Sequence, residues 1–118
     1  GLGDVYKRQV LREKQVSLLQ EIKWICRKHD TDVKIIISPD YLQVNINHAD
    51  VKTLKRFFGK RNVFDFTGIN EYTEDIHNYY EPGHYRPALG KRLMEKIYEP
   101  YILSPNAKSP ASPSPGTI

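Results

Sequence analysis

The chain has 118 residues, enough for one domain at most, and 39% of them are hydrophobic, which argues against wholesale disorder. A single cysteine, Cys26, excludes an internal disulfide framework. The net charge is +4, but residues 1–9 and 104–118 contribute +1 each, so residues 10–103 carry only +2. This weak excess argues against a nucleic-acid surface, and no apolar run approaches the ~18 residues of a membrane span.

The two ends of the chain differ in composition from its middle. Residues 4–9, DVYKRQ, resemble a translated sequencing adapter, so residues 1–9 are expected to be a non-native segment. Residues 104–118 contain four prolines and four serines, which predicts a disordered tail or linker. The folded part is expected to be residues 10–103, with further native sequence upstream of Val10.

The first half of this middle part predicts a helix followed by a strand. Residues 10–29 have helical apolar spacing, with Trp24 expected in the core or half-buried and with one face formed by Leu11, Leu18, Ile22 and Ile25. The β-branched residues 33–37 predict a strand buried on both faces, which ends before Pro39. Residues 43–47 alternate and predict either a short strand or an extended loop.

The second half predicts a helix, a strand, a loop and a last helix. Residues 49–59 have helical spacing and Gly59 stands at the expected cap, whereas residues 62–66 predict a strand. Residues 69–85 predict a long polar loop. The last helix is expected to begin at Pro87 and to end at Pro100, and its buried face is formed by Leu89, Leu93 and Ile97.

Two apolar strands joined through a helix predict a βαβ unit, with a parallel sheet in a three-layer α/β domain. Two or three strands are few for such a domain, which agrees with the C-terminal half of a larger one. A truncated sheet is expected to expose an edge and apolar helix faces.

Ligands of open α/β sheets bind beyond the carboxyl ends of the strands, and the loop 67–85 leaves such an end. Its acidic and imidazole side chains are Glu71, Glu74, Asp75, His77, Glu81 and His84. Spacing alone is compatible with two roles of His84, a surface histidine or a catalytic base. Asp65 is expected to cap the next turn. The spacing is not that of a zinc site and no cysteine joins it, so no metal is expected.

The segments VFDFTG, Thr73-x-Asp75 and NYYEPGHYRPALGKRLMEKI resemble the C-terminal end of the SGNH (GDSL-type) hydrolases, in particular a bacterial cell-envelope branch. The resemblance implies a three-layer flavodoxin-like fold, of which this chain is a C-terminal fragment with an incomplete parallel sheet. It also implies a serine hydrolase acting on acyl esters of carbohydrates or cell-envelope polymers, without a cofactor.

The resemblance assigns roles to residues of the loop. His84 is the general base and Glu81 the acid that orients it, at a position where the family more often has Asp. Asp75 is a fallback acid. Tyr80 and Tyr85 either line a substrate pocket or pack the loop against the sheet. The nucleophilic serine is expected upstream of this chain, so the fragment alone is expected to be inactive.

Two other functions remain open. A non-catalytic relative that binds polysaccharide or assists envelope assembly is suggested by the departure at Glu81. A small basic nucleic-acid-binding module is the third reading, although no nucleic-acid partner is expected. A cell-envelope or periplasmic location follows from the resemblance only, and the oligomeric state stays open.

Overall fold

The computed structural model describes residues 5–100. The expected tail at 104–118 and the start of the segment 1–9 lie outside these residues. The helices are α1 (Glu13–Lys28), α2 (His48–Phe58) and α3 (Pro87–Ile97). The strands are β1 (Ile35–Ile37), β2 (Val63–Asp65), β3 (Tyr79–Glu81) and β4 (His84–Tyr85). Single 3₁₀ turns occupy Lys60–Asn62 and Ile76–Asn78.

Strands β1 and β2 form a parallel pair, in which Ile35 lies opposite Val63 and Ile37 opposite Asp65. Because α2 lies between them in the chain, the predicted βαβ unit is confirmed, and the protein is a mixed α/β structure. Helix α2 begins at His48, one residue before the predicted start, and the Asn47 side chain caps it by accepting a hydrogen bond from the Ala49 N–H at 2.9 Å. It ends at Gly59, whose φ of 90° terminates the helix.

The core consists of two apolar clusters, one that includes the buried face of α3 and one that includes α2. The predicted buried face of α3 is confirmed, because Leu89 and Leu93 are 1% exposed and Ile97 is 3% exposed. This cluster also contains Phe66, Tyr72 and Tyr79. The second cluster is formed by Leu54, Phe58 and Val63. The second cluster packs α2 against the parallel pair, whereas the first places α3 beneath the loop that follows β2.

Helix α1 is only partly packed, and the prediction for Trp24 is wrong because its side chain is 64% exposed. Leu11 and Leu19 lie against the second cluster, but Leu18 and Ile25 on the same apolar stripe are exposed. A helical period of apolar residues identifies a face, but it does not supply the element that covers it.

The expected loop 69–85 contains regular structure that the sequence analysis missed. Strands β3 and β4 form an antiparallel hairpin around Pro82 and Gly83, with Tyr79 opposite Tyr85. Residues 43–47 contribute one isolated parallel bridge between Asn45 and Tyr6 rather than a strand. In the described part of the chain, no helix has the length and apolar character needed to cross a membrane.

Candidate functional site

The hairpin β3–β4 lies beside the carboxyl end of β1. The Tyr41 N–H, just after β1, donates a hydrogen bond to the Pro82 carbonyl at 2.9 Å. The rings of Tyr41 and Tyr79 have centroids 5.5 Å apart. The segment after β1 and the segment after β2 therefore meet, as the carboxyl ends of adjacent parallel strands do. The residues of the hairpin occupy the edge of the sheet at which α/β proteins bind ligands.

Side-chain hydrogen bonds to the backbone hold the chain between β2 and the hairpin. The Asn70 amide donates to the Phe66 carbonyl at 2.8 Å, and its oxygen accepts from the Tyr72 N–H at 2.8 Å. The Thr73 hydroxyl donates to the Gly68 carbonyl at 2.6 Å and is fully buried. Such bonds satisfy buried backbone groups without a helix or strand. The loop is consequently a fixed platform for the hairpin.

The sequence analysis missed the structural role of Asn70 and Thr73. Asn followed at short spacing by Thr in a loop is a signal for side-chain turns, because both can bond nearby backbone groups. The Pro82-Gly83 pair, flanked by Tyr-Tyr-Glu and His-Tyr, is likewise a turn signal between two short strands. Local turn chemistry could therefore have located both features.

The two faces of the hairpin have opposite character. Tyr79 points into the core, is 5% exposed, and its hydroxyl donates to the Tyr72 carbonyl at 2.9 Å. Burial, with smaller contributions from the charges of Asp40 and Tyr85, raises the pKa of Tyr79 to about 12. Glu81 and His84 lie on the exposed side. The buried tyrosine thus anchors a strand whose outer face carries polar side chains.

His84 Nδ1 contacts the Glu81 carboxylate oxygen Oε1 across the hairpin. Strand pairing brings the two together, because Glu81 on β3 lies directly opposite His84 on β4. Both side chains are accessible, with exposed fractions of 73% for His84 and 61% for Glu81. A carboxylate at Nδ1 orients the ring and favours the tautomer whose Nε2 accepts a proton. The pair has the arrangement of a histidine base with its orienting acid.

Asp75 does not reach His84 but forms a second histidine–carboxylate pair. Its Oδ1 accepts the His77 backbone N–H at 2.9 Å and lies 2.9 Å from His77 Nδ1. The backbone N–H, with a smaller contribution from the imidazole, lowers the pKa of Asp75 below its usual value. The expected fallback acid is therefore committed to His77, and Glu81 is the carboxylate that contacts His84.

The two candidate pocket tyrosines take different positions. Tyr85 is half-buried against the α3 cluster, and a Cβ added to Gly90 would lie 3.3 Å from its ring. Tyr80 is exposed, and the Arg86 guanidinium carbon lies 4.3 Å from its ring centroid. At this distance the cation and the ring attract each other. Tyr85 thus packs the hairpin on the fold, whereas Tyr80 exposes its ring to solvent.

Asp65 has the structural role expected of it. Its Oδ1 accepts hydrogen bonds from the Thr67 N–H at 2.9 Å and from the Thr67 hydroxyl at 2.5 Å, so it caps the turn after β2. Within residues 5–100 no group of three or more histidine, cysteine or carboxylate side chains is arranged to hold a metal ion.

Comparisons of the chain with protein-family models, with curated proteins and with solved structures found no match.

Proposed function

We propose that this chain is the base-bearing C-terminal part of a serine hydrolase with an SGNH-like fold, acting on acyl esters. The observation that carries the proposal is the His84–Glu81 contact on an accessible hairpin at the carboxyl end of a parallel strand pair. Accessibility matters because a general base must reach the group whose proton it takes. The resemblance of the 63–98 segment to SGNH hydrolases supports the same reading.

In this mechanism a serine from the upstream part of the fold supplies the nucleophile. His84 Nε2 takes the proton of its hydroxyl as the oxygen attacks the ester carbonyl, and Glu81 stabilises the imidazolium that forms. His84 then returns the proton to the departing alkoxide. Water, deprotonated by the same nitrogen, cleaves the acyl-enzyme and releases the acid. Each proton thus enters and leaves through one ring nitrogen, which Glu81 keeps in position.

We also propose that the complete protein has a parallel sheet with more strands than the pair β1–β2. The Ile37 carbonyl accepts from the Phe66 N–H at 3.0 Å, so the polar groups of Ile36 point to the opposite edge of β1 by the alternation of a strand. The exposed stripe of α1, which includes Leu18, Ile22 and Ile25, supplies apolar surface for the same purpose. Further strands on this side would satisfy the edge and cover the stripe.

The proposed substrates are acyl esters of carbohydrates or cell-envelope polymers. The Tyr80 ring is exposed, and the Arg86 guanidinium stacks on it at 4.3 Å. A tyrosine in this position presents an apolar surface together with a hydroxyl group, which suits contact with a sugar ring. The cell-envelope location rests on the resemblance, and it belongs to the proposal.

The test is the complete protein, obtained by reading the gene upstream of codon 10, with a chromogenic acetyl ester as substrate. His84→Ala is expected to lower kcat on the order of 10³-fold or more, because the base is lost. His77→Ala is the matched control, since His77 also contacts a carboxylate through Nδ1 but belongs to the Asp75 pair. It is expected to retain activity. Equal turnover in the wild type and His84→Ala would contradict the proposal.

Substitutions of Glu81 test whether catalysis needs its carboxylate or only the shape of its side chain. Glu81→Gln keeps the shape but removes the carboxylate that stabilises the imidazolium, so a large loss of kcat with little change in KM is expected. Glu81→Asp is expected to retain part of the activity, because the carboxylate remains but is one methylene shorter. Binding of acetylated polysaccharide with no turnover in any form of the complete protein would favour the non-catalytic alternative.

A further inference from the structure

A second surface, separate from the hairpin, is the outer groove between α1 and α2. Its walls are formed by Phe57 of α2 and by four residues of α1, and its volume is about 150 Å³. The α1 residues are Gln20, Lys23, Trp24 and Arg27. They lie on a different side of α1 from the exposed stripe of Leu18 and Ile25.

Two cations, Lys23 and Arg27, line the groove, and a third, Arg56, lies against the ring of its Phe57 wall. Lys23 Nζ and the Arg56 guanidinium carbon each lie 5.4 Å from the Phe57 ring centroid, and Arg27 lines the wall beside Lys23. Partial burial, and then the positive charges of Arg27 and Arg56, lower the pKa of Lys23 below its usual value. Across residues 5–100 no carboxylate forms an ion pair with any of the three. The groove thus concentrates positive charge without neutralising it.

We propose that the groove between α1 and α2 binds the phosphate group of a small phosphorylated ligand. A phosphate carries close to two negative charges and three or more acceptor oxygens, which suits two cations that line a groove with a third beside it better than a single carboxylate does. The planar guanidinium groups of Arg27 and Arg56 match phosphate oxygens in a fixed geometry. The ring of Phe57 holds two of the cations in place by cation–π contact.

The size of the groove restricts the ligand. A volume of about 150 Å³ is below the several hundred Å³ of pockets that enclose whole drug-sized molecules. The groove therefore takes the phosphate, and the rest of the ligand extends outward. Trp24 forms one wall and exposes most of its indole ring, so it is placed to contact that remaining part. The site needs neither His84 nor the proposed ester hydrolysis.

The experiment uses the fluorescence of Trp24, which is the only tryptophan of the 118-residue chain. The intact chain is titrated at low ionic strength with inorganic phosphate and with glucose 1-phosphate. We expect a saturable change of emission with both, and a weaker response as salt is added. Sodium chloride at equal ionic strength, and unphosphorylated glucose, are expected to produce no saturable change. A response of the same size to chloride would overturn the proposal.

Substitutions locate the site. Arg27→Gln and Arg56→Gln are each expected to weaken phosphate binding about tenfold, since each removes a charge-assisted hydrogen bond worth roughly 1.4 kcal/mol or more. Lys91→Gln is the matched control, because Lys91 is an exposed cation on α3, far along the chain from the groove. It is expected to bind as the wild type does. Circular dichroism of each variant verifies that the helices persist. Wild-type affinity in both arginine variants would contradict the assignment.

A vesicle experiment distinguishes a soluble ligand from a lipid headgroup. Phosphatidylglycerol and phosphatidylcholine vesicles are compared with glucose 1-phosphate in the same fluorescence titration. We expect glucose 1-phosphate to saturate the signal and to compete with any response to phosphatidylglycerol. Binding to phosphatidylglycerol vesicles without any response to glucose 1-phosphate would overturn the assignment to a small ligand.

Discussion

Two histidines on the same loop show how neighbouring residues acquire different roles. His77 takes its carboxylate from Asp75, two residues earlier, inside one turn. His84 takes its carboxylate from Glu81, which strand pairing places opposite it. A hairpin fixes that second pair through the backbone of both strands, and it directs both side chains to solvent. The pairing of strands therefore explains why Glu81, and not Asp75, contacts the candidate base.

Gly68 is a position where only glycine fits. Its φ is 86°, and a Cβ there would lie 2.1 Å from Asn45 Oδ1. Gly68→Ala is therefore expected to lower the free energy of unfolding by about 1–3 kcal/mol, because the backbone strain remains even if the Asn45 side chain rotates away. Urea denaturation followed by circular dichroism measures the change.

Gly83 provides the control for this substitution. It has no positive φ, and the nearest atom to an added Cβ is Asp40 Oδ2 at 4.0 Å. Gly83→Ala is expected to leave the free energy of unfolding within about 0.5 kcal/mol of the wild type. Equal losses in both variants would show that backbone conformation at Gly68 is not the cause.

At the scale of elements, one buried carboxylate attaches the beginning of α1 to α2. Asp50 is fully buried in the first turn of α2, and it accepts the Val10 N–H at 2.8 Å and the Leu11 N–H at 3.0 Å. Asp50→Ala is expected to lower the free energy of unfolding by about 1–3 kcal/mol, since two partly buried N–H groups lose their carboxylate acceptor. Hydrogen exchange at Val10 and Leu11 is expected to accelerate.

Asp32→Ala is the control for Asp50→Ala, because it removes a carboxylate close to α1 that is not buried. Asp32 is exposed in the connection between α1 and β1. Its removal is expected to change the free energy of unfolding by no more than about 0.5 kcal/mol. Unchanged exchange at Val10 in Asp50→Ala would contradict the attachment of α1 through this residue.

Elements with local signals could be predicted, and elements that depend on distant partners could not. Pro87 at the first turn, with Leu89, Leu93 and Ile97 at helical spacing, was enough to predict α3 and its buried face. The hairpin was missed because its strands are only two and three residues long, although Pro82-Gly83 marks its turn. The exposure of Trp24 depends on which element packs against that side of α1. The spacing of apolar residues along a helix carries no information about this.

The candidate site was predicted mainly from the resemblance to SGNH hydrolases, because residue spacing alone did not assign roles to His84 and Glu81. Glu81 and His84 stand three residues apart, a separation that occurs in many loops, and only strand pairing turns it into a contact. The groove between α1 and α2 is lined by Lys23 and Arg27 of α1, and Arg56 of α2 lies against the ring of its Phe57 wall. No pattern along the chain reveals that two helices bring these cations together.

For the whole molecule, the buried Tyr79 of the hairpin is expected to make the free energy of unfolding fall at alkaline pH. The folded state keeps the Tyr79 hydroxyl neutral and raises its pKa to about 12, above the usual value near 10. The unfolded chain then loses this proton at lower pH than the folded chain does. Its contribution to stability is therefore complete below about pH 10 and is lost as pH rises toward 12.

Tyr79→Phe is expected to remove this contribution to the pH dependence while costing about 1 kcal/mol at neutral pH, because the bond to the Tyr72 carbonyl is lost. Urea denaturation at intervals between pH 9 and 12 measures the slope. Tyr80→Phe is the control: the Tyr80 ring is exposed, so its slope is expected to match that of the wild type. Identical slopes in the wild type and Tyr79→Phe would show that deprotonation of this buried phenol does not drive the loss of stability.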